Sequence, residues 1–97
     1  MIGPSPTSVS AAEGVQAAAD GKVVVYFRRG CTFCEWLRLS LGSRRKDVVW
    51  VDIWADPEAA AYVRSVNDGN ETVPTVVIDG AAHTNPAPRK VKAALDR

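Results

Sequence analysis

Residues 22–27 read KVVVYF, a run of β-branched and aromatic side chains without the polar alternation that a half-exposed strand carries. Such a strand has to be covered on both faces. A chain of 97 residues has room for one core and no second folding unit, so the cover is expected from helices on either side of a single sheet. That requirement already sets the fold class at α/β.

The rest of the chain supplies the expected cover. Residues 48–53 form a second continuous apolar run broken only by Asp52. Asp56-Pro57-Glu58 then offers an N-cap, a first-turn proline and a negative charge at a helix start, which predicts a helix to about Val66. Asn67-Asp68-Gly69-Asn70 reads as a loop and residues 75–78 as a third strand. Asp79-Gly80 reads as a two-residue turn into an antiparallel fourth strand over residues 81–84. Thr84 or Asn85 is the expected cap of a closing helix over residues 86–97, with Val91, Ala94 and Leu95 on its apolar side. Ser10 and Glu13 have the spacing of a capping box for a short helix over residues 11–19, which Gly14 weakens by about 1 kcal/mol relative to alanine. Residues 1–9, dominated by Gly, Pro, Ser and Thr, read as a mobile leader. The expected organisation is a leader with an optional short helix over residues 1–20 and one domain over residues 21–97. That domain has the order β-α-β-α-β-β-α, a four-stranded mixed sheet with helices on both faces.

Charge and hydropathy narrow the function. Twelve Lys and Arg against eleven Asp and Glu leave a net charge of +1, without the basic excess that neutralises many phosphates, so nucleic acid is not expected as a main partner. The longest apolar runs, residues 23–27 and 59–63, are too short to span a bilayer. The first basic residue is Lys22, so the N-terminus lacks the positive region of a secretory signal, and the reading is a cytoplasmic monomer.

The chemistry is expected at Cys31-Thr32-Phe33-Cys34. Two cysteines are too few for a disulfide scaffold, and this spacing brings two sulfurs together on the first turn of a helix that follows a strand. Phe33, Trp36, Leu37 and Leu41 continue at helical spacing until Gly42, a residue suited to ending a helix. Cys31 at the helix start would face unpaired backbone N–H groups and the positive end of the helix dipole, with Arg28 and Arg29 nearby, all of which favour a thiolate. It is the expected nucleophile. Cys34 shares a stripe with Leu37 and Leu41, so its sulfur is expected toward the core, protonated, as the resolving thiol. The same C-x-x-C could supply half of a tetrahedral zinc site. With His83 as the only histidine, zinc would then require a second chain.

Strand, C-x-x-C, helix and then Thr72-Val73-Pro74 before the third strand resemble the glutaredoxin branch of the thioredoxin superfamily over about residues 22–95. Within that branch, Ser65-Val66-Asn67-Asp68-Gly69-Asn70-Glu71-Thr72-Val73-Pro74-Thr75-Val76 and Thr84-Asn85-Pro86 are similar to mycoredoxins, actinobacterial proteins that reduce mixed disulfides with mycothiol. The resemblance implies a thioredoxin/glutaredoxin-like fold and a disulfide reductase acting on protein–mycothiol mixed disulfides. It implies no bound cofactor and no metal, mycothiol as co-substrate in preference to glutathione, and mycothiolated or disulfide-containing proteins and the mycothiol reductase system as partners. It further implies a cis Pro74 beside the cysteines, with Val73 offering backbone groups to substrate as an added strand and Thr72 contacting the bound thiol through its backbone. Arg28 stands where the family often has a lysine, as a candidate contact for the small thiol. Thr84 and Asn85 stand where glutathione users carry an acidic helix start, and would give neutral hydrogen-bond partners to the sugar and inositol hydroxyls of mycothiol.

Two further readings stay open: an NrdH-like redoxin or general glutaredoxin fed by thioredoxin reductase or glutathione, and a non-enzymatic redox sensor or zinc-linked dimer. Of the remaining residues, Trp36, Trp50 and Trp54 are expected to pack, Phe33 to pack locally or rim the site, and His83 to be a surface residue.

Overall fold

The computed structural model describes residues 8–96, so residues 1–7 of the leader expected over residues 1–9, and the C-terminal Arg97, lie outside the described residues. The elements are α1 (Ala11–Ala19), β1 (Val24–Phe27), α2 (Thr32–Leu41), β2 (Val49–Asp52), α3 (Pro57–Ser65), β3 (Thr75–Ile78), β4 (Ala81–Thr84) and α4 (Pro88–Leu95). A 3-10 helix over Gly42–Asp47, absent from the sequence reading, links α2 to β2. The sheet order is β2-β1-β3-β4, with β1 parallel to β2 and antiparallel to β3, and β3 antiparallel to β4. The α/β class and four-stranded mixed sheet expected from the sequence are what the chain forms.

Central β1 is buried along its whole length, as its unbroken apolar run requires. Its alternation assigns the two faces. Val24 and Tyr26, with Val51 of β2, lie beneath α1, where Tyr26 also stacks on Tyr62 of α3 with ring centroids 4.8 Å apart. Val25, Phe27 and Trp50 are left for the opposite face, where Phe27 meets Trp50 edge-on at 5.8 Å and α2 packs beside α4. Full burial of side chains of this size contributes about 1.5–3 kcal/mol each.

Local chemistry starts the helices on the α1 side where expected. Ser10 and Glu13 close the capping box of α1, each accepting from the other's backbone N–H at 3.1 Å. Asp56 caps two helices at once. One oxygen accepts from Glu58 of α3 at 3.1 Å and the other from the Ala11 N–H of α1 at 2.8 Å. Val9, read as part of the leader, donates its N–H to Trp50 at 2.9 Å and so occupies the free edge of β2.

Three expectations are corrected. Trp36 is 62% exposed and Trp54 64% exposed, and of the tryptophans only Trp50 is buried. The buried stripe of α2 is Cys34, Leu37, Arg38 and Leu41, so the helix is rotated away from Trp36. Arg38 can occupy that stripe because Glu35 pairs with it at 2.8 Å, both side chains being nearly covered. Trp54 follows the end of β2, where its backbone N–H donates to the buried Asp52 carboxylate at 2.9 Å and the chain turns outward. Finally, α4 begins two residues later than expected. Its N-cap position is Ala87, without a side-chain cap, so neither Thr84 nor Asn85 caps it.

Gly14 has a structural reason that its helix propensity conceals. A Cβ there would lie 2.8 Å from Cγ2 of the fully buried Val51 and 3.4 Å from the Tyr26 hydroxyl. Alanine gains about 1 kcal/mol of helix propensity but overpacks this contact, which costs about 1–3 kcal/mol. Gly14→Ala is therefore expected to lower unfolding free energy by up to about 2 kcal/mol in urea titration; a more stable variant would contradict the close approach.

Candidate active site at the start of α2

The site is built where β1 hands the chain to α2. Gly30 has φ +78°, a left-handed conformation that turns the chain from the strand into the helix and that a side chain would strain. The next residue, Cys31, is the N-cap of α2. Its backbone is extended and its carbonyl accepts the first intrahelical bond from Glu35 at 3.0 Å. In place of the usual cap oxygen, the Cys31 Sγ accepts the Cys34 N–H at 3.2 Å. The sulfur thus meets one of the backbone donors that a helix start leaves unpaired, at the positive end of the helix dipole.

Cys34 lies one turn in and is 3% exposed, on the core-facing stripe. Burial pushes its thiol far up from the ordinary range, and its hydrogen bond with Cys31 adds to this; the Arg28 backbone and guanidinium act in the opposite direction without reversing it. Both cysteines are free thiols, and Cys31 is itself 5% exposed.

Opposite the sulfurs runs the turn before β3. Val73-Pro74 is the cis peptide of the chain's described residues, and the Cys31 thiol donates to the Val73 carbonyl at 3.6 Å. Asn85, at φ +46°, donates its N–H to the Pro74 carbonyl at 2.8 Å, so the end of β4 is fastened to this turn. The structure therefore brings Cys31, Cys34, Val73, Pro74 and Asn85 into one constellation. Thr72 and Thr84 are exposed beside it. The Thr84 hydroxyl donates to Asn67 Oδ1 at 2.6 Å, which commits its proton internally.

Arg28 is half-buried, with its guanidinium 5.4 Å from the centre of the Trp54 ring. Arg29 is exposed and reaches the buried Asp52 at 3.5 Å, tying the cysteine loop to the end of β2. Phe33, 59% exposed, and Trp36 are exposed apolar side chains on α2. His83 lies on β4 and pairs with Lys90 of α4 at 3.1 Å, as a surface residue does.

Sequence reasoning missed two features around the site. The first is the Glu35–Arg38 pair on α2, whose signal was available because Arg38 follows Cys34 by four residues and so shares its stripe. The second is Asn67, read only as loop, whose side chain donates to the Val63 carbonyl at 2.9 Å and to Thr75 Oγ1 at 3.1 Å. Among the described residues no group of three or more His, Cys, Asp or Glu side chains could hold a metal, and no helix is long and apolar enough to cross a membrane.

Known proteins resemble this chain in sequence and in fold. A family model described as Glutaredoxin matches residues 23–83. A Mycobacterium tuberculosis (strain H37Rv) protein, named provisionally as a glutaredoxin, is 42% identical over 74 residues, covering 75% of this chain and 88% of that protein. Mycoredoxin 1 of Corynebacterium glutamicum is 40% identical over 75 residues, covering 76% of this chain and 92% of that protein. Among solved structures, oxidized glutaredoxin 2 from Chlamydomonas reinhardtii shares the fold with a TM-score of 0.56 at 24% identity, over 91% of this chain and 87% of that one. With a family match across the strands and the cysteine helix, and relatives of this identity along most of its length, the chain belongs to the glutaredoxin family, thiol oxidoreductases whose exchange chemistry needs no prosthetic group.

Proposed function

We propose that the protein reduces mixed disulfides between proteins and mycothiol, with Cys31 as nucleophile. The observation that carries this reading is the Cys31 sulfur serving as the N-cap of α2, beside a second thiol that burial keeps protonated. A thiolate there gains a backbone donor and the helix dipole, and a buried neutral neighbour does not compete for the incoming sulfur.

The cycle runs through thiol exchange. The Cys31 thiolate attacks the mycothiol sulfur of a protein–mycothiol disulfide. The protein sulfur leaves as a thiolate and takes a proton, and Cys31 is left in a disulfide with mycothiol. A second mycothiol thiolate attacks that disulfide, releasing Cys31 and forming mycothiol disulfide, which the mycothiol reductase system returns to the thiol. Alternatively, Cys34 loses its proton and attacks Cys31, giving an intramolecular disulfide and free mycothiol. In the first stage substrate lies along the Thr72-Val73-Pro74 turn, pairing with Val73 backbone groups as an added strand. Arg28 and the exposed Thr84 and Asn85 are the proposed contacts for mycothiol, offering mostly neutral partners to its hydroxyls. The name of the Corynebacterium glutamicum relative supports the choice of mycothiol. On this reading the protein works as a monomer in the reducing cytoplasm.

Cys31→Ser is expected to drop exchange to the uncatalysed rate, while Cys34→Ser keeps activity toward small-thiol mixed disulfides within about threefold of the original. Equal loss in both variants would make the dithiol route obligatory.

Because Cys34 is held protonated, its attack on a preformed Cys31–mycothiol disulfide should accelerate about tenfold per pH unit from neutrality upward, as the thiolate fraction grows. A rate independent of pH, followed by mass spectrometry of the released thiol, would contradict a protonated resolving cysteine.

In coupled assays the protein is expected to turn over with mycothiol and its reductase at a kcat/KM at least about tenfold above that with glutathione or thioredoxin reductase. Activity confined to thioredoxin reductase would establish the redoxin reading instead.

A further inference from the structure

We propose that Asn67 is a positioning residue for substrate, acting through Thr75 to fix the peptide plane that presents the Val73 N–H. The inference rests on the reading of the Thr72-Val73-Pro74 turn as the substrate edge given above.

Four residues from four parts of the chain form a hydrogen-bond chain with a single direction. The Thr84 hydroxyl of β4 donates to Asn67 Oδ1 at 2.6 Å. Asn67 Nδ2 donates to Thr75 Oγ1 of β3 at 3.1 Å, and also to the Val63 carbonyl of α3 at 2.9 Å. The Thr75 hydroxyl, in a fully buried residue, then donates to the Thr72 carbonyl at 2.7 Å. Every proton in the series has one place to go. Thr75 accepts from Asn67 and therefore turns its own proton toward Thr72. Asn67 uses both amide hydrogens and its oxygen.

The chain of bonds ends on the peptide unit that matters for recognition. The Thr72 carbonyl and the Val73 N–H belong to one planar trans peptide, so they point in opposite directions. Drawing the Thr72 oxygen inward onto Thr75 turns the Val73 N–H outward. The Val73 carbonyl, on the following peptide, lies 3.6 Å from the Cys31 sulfur. An extended substrate pairing with Val73 needs that N–H held in one direction, since a donor free to turn away binds the substrate edge less tightly. Asn67 suits this task because it joins the end of α3 to both β3 and β4. Aspartate would offer no donors, and alanine would leave the buried Thr75 hydroxyl without its incoming bond.

The test uses steady-state kinetics of the full chain on a small-thiol mixed disulfide that the original protein turns over, alongside the rate of Cys31 alkylation by iodoacetamide. Asn67→Asp keeps the shape and removes both donors. Thr75→Val keeps the β-branched shape and removes only the hydroxyl that holds the Thr72 oxygen, and carries the test should Asn67→Asp fail to fold by circular dichroism. Each folded variant is expected to raise KM about tenfold while kcat and the alkylation rate stay within about twofold, because the sulfur is untouched and only the substrate edge is loosened. Unchanged KM in the folded variants would overturn the proposal, as would a parallel fall in kcat and alkylation, which marks general damage to the site. Each ratio compares a variant with the original protein on one substrate. A lack of preference for mycothiol would therefore count against the proposed function while the KM ratios still decide the role of Asn67.

Discussion

A helix that begins on a sulfur atom has to satisfy two demands at once, and the arrangement around Cys31 is organised by them. The start of α2 needs an acceptor for its unpaired N–H groups, and a cysteine nucleophile needs donors that stabilise negative charge. The Cys34 N–H donating to Cys31 Sγ at 3.2 Å meets the first need, and in the proposed nucleophile it would serve the second as well. The contact exists because β1 ends where it does, because Gly30 takes the left-handed turn, and because α2 packs with Cys34, Leu37 and Leu41 toward the sheet. The strand fixes the height of the sulfur, and the helix fixes its electrostatic surroundings.

The two cysteines are three residues apart and both buried, yet they have different partners. Cys31 sits between a backbone donor on its own helix and the Val73 carbonyl across the site, whereas Cys34 is set into the core, where burial keeps its proton on. Spacing alone makes a pair of sulfurs, and their place on the helix start and their partners make them different. The far wall of the site depends less on apolar packing than on hydrogen bonds. The turn before β3 is held by Asn85 through Pro74 and by Thr75 through Thr72, with Asn67 behind both strands. One side of the site is thus a helix start and the other a turn held by hydrogen bonds, in contact through Cys31 Sγ and the Val73 carbonyl at 3.6 Å.

What could be read from the sequence was what short-range physics decides. The capping box at Ser10 and Glu13, the Asp56-Pro57 start of α3 and the Asp79-Gly80 turn depend on neighbours within four residues, and each formed where it was expected. The burial of β1 followed from composition without alternation. The rotation of α2 was harder to read. Trp36 looks like a core residue until Arg38 is seen to be neutralised by Glu35, which frees the stripe beside Cys34 for a charged residue and leaves the indole outside. Trp54 is outside for a related reason: the buried Asp52 carboxylate takes its backbone N–H in a turn that follows β2. Asn67 gave little local signal, since only the Val63 carbonyl is within four residues, while Thr75 and Thr84 lie 8 and 17 residues away and meet it only once β3 and β4 have paired. The start of α4 was misplaced because Thr84, a good capping residue by type, gives its hydroxyl to Asn67, and the Asn85 backbone is bonded to Pro74 ahead of the Ala87 cap position.

The most direct test of the activated sulfur is the alkylation of Cys31 by iodoacetamide at neutral pH in a Cys34→Ser chain, compared with free cysteine under the same conditions. If the helix start stabilises the thiolate, Cys31 reacts markedly faster than the free amino acid, despite its smaller exposure. A rate equal to or below that of free cysteine would contradict the claim that the sulfur is activated by its position.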